Sequence, residues 1–100
     1  MAEGVDIVEN NTELDRYEIV RDEGVAVLEY RRRGDRLVLV HTGVPKELEG
    51  HGIAGKLVAS AIEDARRDDL TVVPLCPYAR VWIERHPNAV DGVDVDFSGT

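Results

Sequence analysis

The stretch Glu49-Gly50-His51-Gly52-Ile53-Ala54-Gly55-Lys56 decides how the rest of the chain is interpreted. It places three glycines just before an amphipathic helical pattern begins. Glycine lets the backbone turn sharply and approach a ligand closely. The N-terminus of a helix adds unpaired N–H groups and the positive end of the helix dipole. The stretch therefore predicts a cradle for the phosphates of an anionic ligand.

Two common phosphate-binding motifs overlap on these residues, and the flanking sequence argues against both. Residues 50–55 fit G-x-G-x-x-G, but no strand directly precedes them, and the next apolar run ends in Cys76 rather than in an acidic residue. Residues 50–56 also fit G-x-x-x-x-G-K, yet Leu57 stands where that motif needs a serine or threonine. The alternative to a phosphate cradle is a glycine-rich helix start that binds no ligand.

The composition favours one domain that binds neither nucleic acid nor membrane. The chain has 100 residues, 43% of them hydrophobic, which suffices for a single core. Its formal net charge of −8 would repel a nucleic acid backbone. No apolar run approaches the ~18 residues that span a membrane, so we expect a cytoplasmic protein. Cys76 is the only cysteine, and neither a disulfide nor a metal site is expected.

The N-terminal half predicts a meander of short strands separated by turns that contain glycine and aspartate. The strands are expected at residues 5–8, 16–21, 25–31 and 36–42. In the last of them, alternation places His41 on the face of Leu37 and Leu39 and places residues 38, 40 and 42 on the other face, both covered. The basic residues 31–33 are interpreted as a charged hairpin turn, with a dock for an acidic substrate or for the 3′-phosphate of a cofactor as the alternative.

The C-terminal half predicts helix, strand and helix. A helix is expected from residue 53, followed by a buried strand at 70–75 that returns parallel to the 36–42 strand, and by a short helix over 76–85. Residues 89–100 are an acidic tail whose alternating valines suit a last strand. The fold class is therefore α/β (α+β).

Four separated blocks, in chain order, resemble the smallest members of the GNAT N-acetyltransferase superfamily. They are His41-Thr42-x-Val44-Pro45, Glu49-Gly50-x-Gly52-Ile53-Ala54, Pro74-x-Cys76-Pro77-Tyr78 and Arg85-His86-Pro87. The match covers about residues 5–88. It implies a single GNAT-like domain with a mostly antiparallel meander, one parallel pair of strands that splay apart, and two helices.

The resemblance also implies a cofactor and an acceptor. Acetyl-CoA would bind between the splayed strands and donate its acetyl group to an amine, either a small molecule or a peptide. The implied cofactor-binding residues are the backbone of Thr42, Gly43 and Val44 for the pantetheine arm, and, for the pyrophosphate, Gly50, His51, Gly52, Ile53, Ala54 and Gly55. Glu49 departs from the usual Arg or Gln, and we expect it to turn away and interact with the start of the helix.

Acetyl transfer needs a proton for the departing thiolate and a base for the amine. Larger members of the family carry a tyrosine acid where Ile83 stands here. Cys76 is the leading candidate either to protonate the departing thiolate or to accept the acetyl group itself. Pro77 suits a first helical position, so the helix dipole would favour the thiolate form of Cys76. His41 could serve as a base and Tyr78 as a surrogate acid, and each of the three also has a purely structural alternative.

A non-catalytic acyl-CoA-binding or protein-interaction module is the alternative function. The sequence leaves the acceptor, the oligomeric state and the route of transfer open.

Overall fold

A computed structural model of the chain describes residues 6–99 as one mixed sheet with two helices on one face. The strands and helices are β1 (Glu9–Asn11), β2 (Arg16–Arg21), β3 (Gly24–Arg33), β4 (Arg36–Gly43), α1 (Ile53–Asp68), β5 (Thr71–Pro74) and α2 (Pro77–Arg85). The sheet has five strands in the order β1-β2-β3-β4-β5, antiparallel except for the parallel pair β4 and β5. The fold predicted from the sequence is confirmed.

Two details of the N-terminal half differ from the sequence prediction. Residues 6–8 are not a strand and the first strand begins at Glu9, while Val5 lies outside the described residues. The basic residues 31–33 are not a turn, because β3 continues through Arg33 and the turn consists of Gly34 and Asp35. Gly34 has a φ of 59°, a left-handed conformation that glycine adopts without strain.

A β-bulge in β4 changes which side chains face the helices. The register pairs Leu39 with Tyr30 and His41 with the residue before Tyr30, so Val40 has no partner on β3. Because of this extra residue, each side chain of β4 after Val40 lies on the opposite face of the sheet from the one that simple alternation predicts. Thr42 therefore faces the helices, whereas His41 faces away from them and is exposed. The expected grouping of His41 with Leu37 and Leu39 is wrong.

The core lies between the sheet and α1, whose apolar stripe covers β2 to β5. Its fully buried members include Ile19, Leu28, Leu39, Ile53, Leu57, Val58, Ile62 and Val72. At the rim of the core, the hydroxyl of Tyr17 donates to Asp64 Oδ2 at 2.7 Å. No helix among residues 6–99 covers the opposite face, where Val38 and Val40 are half-buried, so the expected cover on both faces is wrong.

The tail runs along the outer edge of β5. Val95 forms a parallel bridge with Val72, and the N–H of Val72 donates to the carbonyl of Asp94 at 2.8 Å. Asp96 is held by Arg36 and Ser98, whose hydrogen bonds lower the pKa of Asp96 to about 2. The domain limits expected from the sequence, residues 5–88 with a tail at 89–100, remain a prediction. No helix in the described part of the chain is long and apolar enough to cross a membrane.

The two helices meet at Gly55, which is buried against Trp82. A Cβ atom built at Gly55 would lie 2.6 Å from Trp82 Nε1, closer than real side chains approach. The indole is fixed on its other side by His86, whose ring stacks on it at 4.1 Å between centroids. His86 Nδ1 also lies 2.7 Å from the carbonyl oxygen of Trp82, as expected for a histidine at a helix end.

We predict that Gly55→Ala destabilises the protein by about 1 kcal/mol. Overpacking costs about 2 kcal/mol at the middle of its usual range, and the higher helix propensity of alanine offsets about 1 kcal/mol of that cost. Chemical unfolding of the variant measures the difference. In a Trp82→Leu background the same change should be neutral or stabilising, and a stabilising effect of Gly55→Ala in the unaltered protein would contradict the packing argument.

Candidate functional site

The central feature of the site is the point where β4 and β5 part. Their pairing ends at Leu39 and Pro74. The N–H of Leu75 donates to the carbonyl of Val73 at 3.1 Å within its own segment, and the N–H of Cys76, donating to the carbonyl of Leu39 at 2.9 Å, is the last backbone hydrogen bond between the two segments. From there β4 continues to Gly43 with a partner on the β3 side alone. The free edge of β4 leaves an opening between the strands.

The segment 49–52 before α1, called the glycine loop here, borders this opening and is accessible to a ligand. Gly50 and Gly52 have φ values of 84° and 72°, and a Cβ atom at either position would meet nothing within 4 Å. Gly52 is the N-cap of α1 and no side chain caps the helix. The N–H of Lys56 donates to the carbonyl of Gly52 at 3.3 Å, so the N–H groups of residues 53–55 are available to an anion or to solvent.

A cavity of about 460 Å³ joins the glycine loop to the end of β4. Its lining comprises Thr42, Val44, Leu48, Glu49, Gly50, Gly52, Ile53, Ala54 and Tyr78. Most of the residues implied as cofactor-binding therefore surround one space. Gly43, His51 and Gly55 do not line it, and contact with Trp82 accounts for the glycine at position 55.

Cys76 lies at the inner end of the opening, as the N-cap of α2. Its side chain is 3% exposed, and its Sγ lies 3.1 Å from Thr42 Oγ1, within hydrogen-bond distance for sulfur. The thiol is thus both a member of the core and a neighbour of the point where the strands separate. The bulge at Val40 creates this contact, because it turns Thr42 toward the helices.

Tyr78 presents its side chain to the cavity from the first turn of α2. Partial burial, and to a smaller extent a negative charge on Cys76, raise the pKa of Tyr78. A phenol is protonated at neutral pH even at its ordinary pKa, and the raised pKa of Tyr78 acts in the same direction, so the phenol carries a proton that it can donate. The structure therefore brings Tyr78, Thr42 and the glycine loop together around one cavity.

His41 lies apart from these residues, and Glu49 lies at the edge of their cavity. His41 is exposed on the opposite face of the sheet from Thr42. Glu49 is exposed at the edge of the cavity, and no side-chain hydrogen bond caps the start of α1. A hydrogen-bonded cap by Glu49 is therefore absent, whereas its interaction with the helix dipole and its separation from a bound pyrophosphate remain predictions.

Sequence analysis missed two features of the site. The Thr42 side chain was not singled out, because the bulge that turns it inward has no signature in the sequence of β4 alone. Leu48 closes the cavity from a short 3-10 turn, Lys46–Leu48, and is 2% exposed. The only signal for it was an apolar residue within a polar segment after Pro45. Within residues 6–99, no cluster of His, Cys, Asp and Glu could hold a metal ion.

Comparison with known proteins agrees with this architecture. The family profile described as GCN5-related N-acetyl-transferase matches residues 16–92. The solution NMR structure of a GCN5-like candidate N-acetyltransferase from Staphylococcus aureus is similar, with a TM-score of 0.68 and 25% sequence identity over 97% of this chain and 95% of that chain. Enzymes of this family generally use acetyl-CoA to acetylate small-molecule or peptide amines. The chain belongs to the GCN5-related N-acetyltransferase family, and its family and fold together support acetyl transfer as its general activity.

Proposed function

We propose that this chain transfers an acetyl group from acetyl-CoA to an amine. The observation that carries the proposal is the single cavity of about 460 Å³ that is lined by both the open glycine loop and the free end of β4. A phosphate group fits the loop, because the N–H groups of residues 53–55 face no side-chain cap. The cytoplasmic location expected from the composition remains a prediction.

The free edge of β4 suits the extended, amide-bearing pantetheine arm. Backbone groups of Thr42, Gly43 and Val44 have no partner from β5, which ends at Pro74. A ligand with amide groups can pair with such an edge as an added strand does. Binding would then run from the loop, along β4, to the opening beside Cys76.

Bound acetyl-CoA supplies a thioester whose C–S bond breaks as the acceptor nitrogen forms a C–N bond to the acetyl carbon. The acceptor must lose a proton and the leaving sulfur must gain one. Tyr78 is the better candidate to donate that proton, because it lines the cavity and stays protonated, while the thiol of Cys76 is 3% exposed. His41 is the candidate base for an amine that approaches from the opposite face.

A non-catalytic acyl-CoA-binding module is the second candidate. The burial of Cys76 favours it, since that thiol was the leading catalytic candidate in the sequence. The two functions share ligand binding and differ in turnover, so binding and transfer have to be measured separately.

We predict that CoA raises the melting temperature of the protein. A ligand that binds the folded state alone stabilises it by mass action. Gly52→Val should abolish the shift, because its side chain enters the space above the loop and its φ of 72° disfavours a branched residue. Gly34→Val is the matched control, with a similar φ of 59° in a distant turn. A folded protein that millimolar CoA does not stabilise would refute the cofactor assignment.

Replacing Glu49 by Gln should leave the affinity for CoA unchanged or increase it. The carboxylate lies at the edge of the cavity, and a like charge near a pyrophosphate is unfavourable. Calorimetric titration with CoA at constant ionic strength measures the change. A clear loss of affinity would mean that Glu49 holds the loop in its binding conformation.

Tyr78→Phe should lower kcat by about 100-fold while CoA binding is retained, which is the loss typical of a missing general acid. Cys76→Ala is the matched comparison and should retain most of the activity, and iodoacetamide should modify Cys76 slowly in the folded protein. The opposite pattern, a large loss in the alanine variant alone, would assign the chemistry to Cys76. If both variants and the unaltered protein bind CoA without turnover, the chain is a binding module.

A further inference from the structure

The face of the sheet away from the helices carries a second groove, of about 420 Å³, that the proposed chemistry leaves unused. Its floor is apolar and consists of Val38, Val40, Val73 and Leu75. Leu75 is 52% exposed. Val73 is buried, but it is not part of the core cluster under α1. An apolar floor of this kind favours a ligand with an apolar segment.

The groove reaches the opening between the splayed strands from the side opposite to the cavity. Val40 directly follows Leu39, the last residue of β4 that pairs with β5. Leu75 directly follows Pro74, the last residue of β5. One end of the groove therefore borders the place where the acetyl group would be presented, and an acceptor in the groove would approach it from the free face.

Three arginines line the groove in addition to its apolar floor. Arg31 and Arg33 are two residues apart in β3, and both lie on the face of the sheet away from the helices. In the pairing of β3 with β4, Arg31 is opposite Val38 and Arg33 is opposite Arg36. Arg31 and Arg33 are both exposed, and within residues 6–99 neither side chain makes an ion pair or a hydrogen bond. Arg36 pairs with Asp96.

These charges are unusual for this chain. It has 20 acidic and 12 basic residues, yet no described acidic side chain neutralises Arg31 or Arg33. Neighbouring cations repel each other and favour an anionic partner, and guanidinium groups bind carboxylates through paired hydrogen bonds. The charge of this end of the groove is complementary to a carboxylate.

We infer that the acetyl acceptor is the terminal amine of a short peptide with apolar residues first and acidic residues next. The inference rests on the proposed acetyl transfer and names its substrate class. Four residue steps separate Val40 from Arg36, about 13 Å along the strand, which three or four extended peptide residues span. The amine would lie at the opening, the apolar residues on the valine floor and the carboxylates on Arg31 and Arg33.

The transfer balances without further reactants. The acceptor nitrogen, after loss of its ammonium proton to a base, forms the amide bond to the acetyl carbon. The C–S bond breaks and the sulfur takes up a proton, so the products are an N-acetylated peptide and the free thiol of CoA.

Direct binding provides the first test. The peptides Ala-Val-Asp-Asp-amide and Ala-Val-Asn-Asn-amide are titrated into the protein by calorimetry. We expect the acidic peptide to bind at least about 10-fold more tightly, because only it can form charge-assisted hydrogen bonds with the arginines. Arg31→Gln combined with Arg33→Gln should remove this preference, whereas Arg85→Gln, an exposed arginine on α2, should retain it.

Turnover provides the second test. With acetyl-CoA, the acidic peptide should be acetylated with a lower KM than the neutral one, and the double variant should lose this difference in KM with little change in kcat. Equal binding of the two peptides, a preference that survives in the double variant, or one that Arg85→Gln removes equally would overturn the inference. An acidic peptide that binds but is not acetylated, while other amines are, would overturn it as well.

The two proposals can fail separately. If the proposed function is wrong, CoA will not stabilise the protein or will bind without turnover on any amine, but the acidic peptide will still bind the groove and depend on Arg31 and Arg33. If the substrate class is wrong, CoA will bind and amines will be acetylated without regard to their acidic groups.

Discussion

The rest of the structure depends on the point where β4 and β5 stop pairing, at Leu39 and Pro74. The pairing of β4 with β5 stops there because the N–H of the next residue, Leu75, donates back to the carbonyl of Val73 at 3.1 Å, and the N–H of Cys76 makes the last backbone hydrogen bond, to Leu39. Helix α2 begins at the next residue, Pro77, whose fixed φ suits a first helical position. The opening that results lies between the cavity on one face and the groove on the other.

Periodicity and turn chemistry predicted the elements well, because both depend on local sequence. The bounds of β2 match the prediction, and α1 begins at Ile53 where the helical period begins. The faces of β4 beyond Val40 could not be predicted, because a bulge depends on how β3 and β4 settle against each other. The contact between Thr42 and Cys76 could not be predicted for the same reason, because it depends on the bulge and joins residues far apart in sequence.

The glycine stretch shows why a motif alone did not decide the function. Gly50 and Gly52 have positive φ values and open space above them, as a phosphate site requires. Gly55 is a glycine for another reason, the close approach of Trp82. Two unrelated physical demands therefore produce the spacing G-x-G-x-x-G, and the resemblance to a dinucleotide fingerprint is a coincidence of helix packing with loop geometry.

The charges of the two faces explain how an acidic chain can hold anionic ligands. A net charge of −8 repels CoA or an acidic peptide at long range. Salt screens this repulsion over a Debye length of about 8 Å at physiological ionic strength, so groups in direct contact decide the affinity. On one face these groups are the N–H donors at the start of α1, and on the other they are Arg31 and Arg33. The acidic excess elsewhere limits nonspecific anion binding, and under the two proposals short-range contacts at these places outweigh the overall charge.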